Sequence, residues 1–223
     1  MVRNEGEQAM EQQEESWRPW DEDQVFTFPE REDWIFWVTG MGGGEGAEEI
    51  AATREWGVGN PAVIGAIRAM DQDAVEDGDG TAWGAGVWLP AEHDHEVRVG
   101  VLIKTFPDRG NVKKAYRKFR KQAARVPQLP GVTISSYDVG EGEVDLGPFV
   151  EQVIDTVNEA GELYLYWFYT FFSDAKDEVV RLEFRSVYAH LLDEIEEQIG
   201  DLLSHAFYGV EPGSALSKEL GLE

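Results

Sequence analysis

The chain contains no cysteine. Disulfides, thiolate nucleophiles and cysteine-ligated zinc or iron–sulfur sites are therefore excluded together. Basic residues are scarce: 19 Lys and Arg stand against 44 Asp and Glu, a net charge of -25, and lysine is the rarer cation, at seven against twelve arginines. Long apolar runs are missing too. The longest, Leu163 to Phe172, is about half of what a membrane-spanning helix needs. Residues 1–15 hold no apolar stretch, so the expectation is no signal peptide, synthesis in the cytoplasm and no membrane partner. No Gly-Lys-Ser/Thr and no G-x-S-x-G occurs, which removes a P-loop and a serine nucleophile elbow. No catalytic residue, cofactor or metal ligand set is assigned.

What is present suits a folded protein: 223 residues, 42% hydrophobic and 12% aromatic, including eight Trp. The acid excess runs through most of the chain. At -25, self-repulsion opposes compaction in dilute buffer, whereas at molar salt the Debye length falls to about 3 Å and the repulsion is screened. The composition resembles that of proteins from salt-accumulating halophiles, and adaptation to high salt is expected.

The few cations are unevenly placed. Eight lie between residues 109 and 125, a stretch without acids: Arg109, Lys113, Lys114, Arg117, Lys118, Arg120, Lys121 and Arg125. The rest of the chain carries 11 basic residues against 44 acids, or -33. Val112, Ala115, Tyr116, Phe119 and Ala123 fall on one helical stripe, with Asn111 as the cap, so a helix is expected whose remaining surface is cationic. Lys113 and Lys114 stand in its first turn, where the helix dipole disfavours positive charge; helix stability did not select them. Three readings follow: contact with an acidic surface of another subunit, contact with nucleic-acid phosphate, or pairing with acids of the same chain. Phosphate binding falls steeply with salt, and the surrounding acid repels a polyanion, so the first is preferred.

Residues 1–24 read as an acidic N-terminal arm with Trp17 and Trp20 as anchors, 25–210 as a single domain and 211–223 as a C-terminal tail. Strands are expected at 24–28 and 33–39, a glycine-rich turn at 40–46, and helices at 47–56 and from Asn60-Pro61 to about residue 70. An acidic loop (71–80) precedes a hairpin (81–89 with 96–106), and a short strand at 132–137 follows the basic helix. The spacing of Val150, Ile154 and Val157 predicts a helix over 148–160. A second hairpin pairs 162–172 with 178–186, where Arg181, Glu183 and Arg185 face away from Val180, Leu182 and Phe184. A closing helix carries the stripe Tyr188, Leu192, Ile195, Ile199 and Leu202. The class is α+β, with a mixed or largely antiparallel sheet, two β-hairpins and helices packed on it.

The remaining candidates are weaker. From Gly42 the turn satisfies G-x-G-x-x-A, but Glu45, Glu48 and Glu49 set negative charge where a pyrophosphate would sit, and a second helix follows where a parallel strand is required. His93-Asp94-His95 would turn both imidazoles to one side if extended, without an evident third ligand. Asp71, Asp73, Asp77 and Asp79 fail the EF-hand spacing. The run from Leu163 to Phe172 holds seven aromatics in ten residues and needs cover on both faces. The expected function is a non-catalytic structural or assembly subunit of a larger complex, such as a virion-type particle, binding other protein subunits as a homo-oligomer or larger assembly. The alternatives are a small-molecule-binding domain or enzyme using turn 40–46, and a nucleic-acid-associated protein using the basic helix 109–125.

Overall fold

The computed structural model describes residues 24–76, 81–107, 111–128, 131–144, 146–172 and 178–210. Arg109, Trp17, Trp20 and the 211–223 tail lie outside them. The chain divides into two units. In the first, strand β1 (Gln24–Thr27) pairs antiparallel with β9 (Phe207–Val210).

The second unit, Phe28–Ala206, is built on a seven-stranded sheet in the order β2-β3-β4-β8-β7-β6-β5, every pair antiparallel. The strands are β2 (Trp34–Val38), β3 (Ala82–Trp88), β4 (Val99–Pro107), β5 (Val132–Val144), β6 (Gly147–Asn158), β7 (Leu163–Phe172) and β8 (Glu178–Ser186). The helices are α1 (Gly46–Ala51), α2 (Pro61–Glu76), α3 (Val112–Ala123) and α4 (Leu192–Ser204). The class is α+β with an antiparallel sheet. Three strands meander from β2 to β4; α3 then precedes β5, at the far edge, and β5 to β8 meander back until β8 docks on β4.

Alternation fixes the two faces of the sheet. Ile35, Trp37, Ala85, Val87 and Leu102 on one face meet Ala47, Ile50 and Ala51 of α1 and Val63, Ile67, Met70 and Ala74 of α2. Farther across the same face, Val150 of β6 and Phe172 of β7 meet α3. The opposite face holds the largest aromatics: Trp34 stacks on Trp88, and the edges of Trp34 and Tyr169 meet Phe184. Trp34, Trp88, Trp167 and Phe184 are all fully buried there, and α4 buries Ile195, Ile199, Leu202 and Leu203. The aromatic strand is accordingly covered unevenly. Leu165, Trp167, Tyr169 and Phe171 are buried, whereas Tyr164, Tyr166 and Phe168 on its other side stay half-exposed.

Three sequence expectations are corrected. Residues 148–160 form β6 and not a helix. Val150 and Ile154 are four apart, a spacing that satisfies a period of 2 as well as 3.6, and Val150, Ile154 and Thr156 all point inward from the strand. The β-branched content (Val150, Val153, Ile154, Thr156, Val157) settles the conformation, because such side chains crowd a helix and fit a pleated surface. The strand expected at 132–137 runs on to Val144 as the partner of β6, with an irregularity between Ile134 and Ser136. The acidic loop begins later than expected: α2 continues through Asp71 to Glu76, since Asp71 turns into the core and does not face water.

Candidate functional site

The basic segment forms α3 as its pattern requires. Asn111 caps it, its side-chain oxygen accepting from the Lys114 N–H at 3.0 Å. Val112 and Ala123 are buried, and Ala115, Tyr116 and Phe119 pack with them against Val150, Phe172 and Val179. Tyr116 and Phe119 meet the ring of Phe172 at 5.4 and 5.6 Å between centroids. These two aromatics are thus committed to the core side, which leaves the outer face almost wholly cationic.

Among the described residues, four cations of the outer face have no ion-pair partner. Arg120 makes one ion pair, from Nε to Glu141 Oε1 at 2.6 Å, and the Tyr116 hydroxyl donates to the other oxygen of Glu141 at 2.8 Å. That hydrogen bond, followed by burial, raises the Tyr116 phenol above its ordinary value. Lys114, Arg117, Lys118 and Lys121 are exposed, and among the described residues their side chains form no ion pair. Arg125, just beyond the helix, is exposed as well. Among the described residues, ion pairing within the chain engages Arg120 and leaves Lys114, Arg117, Lys118 and Lys121 without one. Glu141 and Glu143, on the edge strand β5, were not singled out from sequence; their position beside α3 depends on β5 taking the outermost place in the sheet.

The glycine-rich turn has a structural occupant. Asp71 of α2 is only 4% exposed, and its Oδ1 accepts from the Gly40 N–H at 2.8 Å and the Trp37 indole N–H at 3.0 Å. A Cβ on Gly42 would come within 2.6 Å of the Asp71 Cβ, so glycine there permits the carboxylate's close approach. Arg68 ties down the other side, donating to the Gly44 carbonyl and to Glu48. The turn is closed on α2 by a carboxylate, opposite in sign to what a phosphate needs.

His93 and His95 diverge. Asp94 and His95 have φ of 53° and 55°, so the tripeptide is a tight turn and the extended geometry that would align the imidazoles is not formed. His93 Nε2 lies 3.3 Å from Glu194 of α4, while His95 stacks on Trp56 and contacts the Leu89 carbonyl through Nδ1. Of the acidic loop, Asp71 serves the turn and Asp73 pairs with Arg185; Asp77 and Asp79 lie outside the described residues.

A line of charge also crosses the middle of the sheet. Lys104 of β4, 5% exposed, reaches Glu183 of β8 at 3.2 Å, Arg181 reaches the same carboxylate at 2.9 Å, and the Arg181 guanidinium lies 4.6 Å above the Phe168 ring. Removing one partner of a largely buried ion pair of this kind is costly, because the other charge is left uncompensated. Among the described residues no helix is long and apolar enough to cross a membrane. No protein-family model matches the chain, and no curated protein matches it.

Proposed function

We propose that the protein is a non-catalytic assembly subunit adapted to high salt, and that the outer face of α3 docks on an acidic surface of another protein subunit. The observation that supports this is the burial of α3's apolar stripe while Lys114, Arg117, Lys118 and Lys121 face solvent without a partner among the described residues. A second copy offers a suitable complement. Asp193, Glu196 and Glu197 are exposed on α4, beside Glu194 and Asp201, which His93 and Arg31 already engage. At molar salt only close, desolvated pairs keep their strength, so Arg117, whose planar fork can grip a carboxylate with two hydrogen bonds, contributes more than the lysines. A virion-type particle is one assembly that such a subunit suits.

The test replaces Arg117, Lys118, Arg120 and Lys121 with Gln and follows sedimentation of the full chain in molar KCl. Glutamine keeps helix propensity, and the Arg120–Glu141 pair is half-exposed, worth roughly 0–1 kcal/mol. The variant should therefore melt like the parent and dissociate. A parent that is monomeric at every concentration, or a variant that assembles unchanged, overturns the proposal. Loss of nucleic-acid binding instead would identify α3 as a phosphate contact.

A further inference from the structure

The half-exposed side of β7 and the flank of α2 border an open cavity of about 450 Å³, within the range of roughly 300–1,000 Å³ typical of small-molecule sites. It lies apart from α3 and from the glycine-rich turn. One wall is α2, which presents the small side chains Ala66 and Ala69 and then the Met70 thioether. The floor includes Val87 and Gly100, and a Cβ on Gly100 would meet Met70 at 2.9 Å, so the missing side chain lets the thioether lie close to the sheet. Opposite stand the rings of Tyr164, Tyr166 and Tyr188. Small, flat and apolar surfaces dominate this lining.

Its charge runs against the rest of the molecule. Acids outnumber bases 44 to 19 in the chain, yet two arginines and a single acid, Asp73, line the cavity. Arg98 is held from outside: its Nη2 pairs with Glu96 at 2.8 Å and its guanidinium lies 4.4 Å above the Tyr188 ring. Arg185 is held from within, its Nη2 bonded to the Asp73 carboxylate and lying 3.1 Å from the Met70 sulfur. A guanidinium has five N–H donors, and among the described residues Arg185 uses only those of Nη2. Both forks of a guanidinium include Nη2, so what Arg185 keeps for a ligand is the separate donors of Nε and Nη1, half-exposed beside apolar walls.

We propose that this cavity binds a small organic anion with a flat apolar body, the anionic group on Arg185 and the body between Ala69, Met70 and the tyrosine rings. Salt selects for the organic part. Where the Debye length is about 3 Å, an inorganic anion competes poorly with abundant chloride, whereas a ligand that buries apolar area and accepts a close, charge-assisted hydrogen bond from a guanidinium does not depend on long-range attraction.

The experiment measures binding of naphthalene-2-carboxylate and of its uncharged carboxamide to the full chain in molar KCl, by calorimetry and ligand-observed NMR. The carboxylate should bind saturably with one site per chain and at least tenfold more tightly than the amide. Ala69→Trp, at an exposed position of α2, should abolish binding of both. Arg185→Gln should lower carboxylate affinity about tenfold while leaving the amide unchanged, and this separates recognition of charge from a general loss of fold. Absence of binding to the parent, equal affinity for the two probes, or undiminished binding to Ala69→Trp overturns the proposal. The parent comparison needs no variant, so misfolding of either substitution does not blunt the test.

Discussion

Replacement of Asp71 by Ala removes the acceptor shared by the Gly40 N–H and the Trp37 indole N–H, and the cost follows from the geometry. Both bonds end on one oxygen of a side chain only 4% exposed; the Trp37 indole N–H loses its partner in a buried site, whereas the Gly40 N–H sits at a part-buried position where water can partly replace it. A hydrogen bond to a charged group is worth roughly 1.5–3 kcal/mol, and relief of the carboxylate's own burial offsets part of the pair, leaving a loss of about 3 kcal/mol. For a chain of this size that lowers the melting temperature by about 6–12 °C. Asp71→Asn keeps an oxygen where Oδ1 stands and loses only the charge assistance, so it should fall by about 1 kcal/mol. Thermal and urea unfolding in molar KCl, where net repulsion is screened for all three proteins alike, provide the measurement. If Asp71→Ala melts within about 2 °C of the parent, the bracing of the turn by this carboxylate is refuted. A drop of equal size in Asp71→Asn would place the effect in charge rather than in hydrogen-bond geometry.

Salt should stabilise the whole molecule: with -25 charges, the melting temperature should rise steeply from dilute buffer to molar KCl, and a flat profile would refute the halophilic reading. High pH should destabilise it. Burial, then the hydrogen bond to Glu151, raises the Tyr169 phenol well above its ordinary 10.0, so between those limits the native state holds a proton that the unfolded chain has released. The associated stability is intact below pH 10 and is lost as pH climbs further; Tyr169→Phe should flatten that loss in denaturation curves, and an unchanged slope would contradict it.

The basic helix was legible because everything that defines it is local: an Asn cap, a stripe at helical spacing and an absence of acid within one segment. So was the alternation of Arg181, Glu183 and Arg185 against Val180, Leu182 and Phe184, of which the last three are fully buried. What escaped depended on partners far along the chain. Gln152 lies between Val150 and Ile154 on the same face of β6 and hides the period of 2, and only the pairing of that strand with β5 and β7 shows its conformation. Lys104 joins Glu183 through the register of β4 on β8, and Asp71 becomes a brace only once α2 lies over the turn. The cavity beside β7 was hidden for the same reason, since its two arginines come from separate segments, 98 and 185, that meet only in the folded sheet.

The docking of β8 on β4 also orders events as the chain is made. The first meander and its two helices have their core residues in place once residue 107 has emerged, but the partner for the outer edge of β4 is not synthesised until residue 186. For the interval between, β4 is an open sheet edge, a template for pairing with another nascent chain. Lys104 stands near the middle of that edge, a charge that stays satisfied in water while the edge is bare and costs energy to bury against any strand that brings no acid. Glu183 of β8 brings it. The buried pair thus acts as a password on the unfinished sheet, refusing apolar strands from neighbouring chains until β8, the last strand of this sheet to be made, arrives.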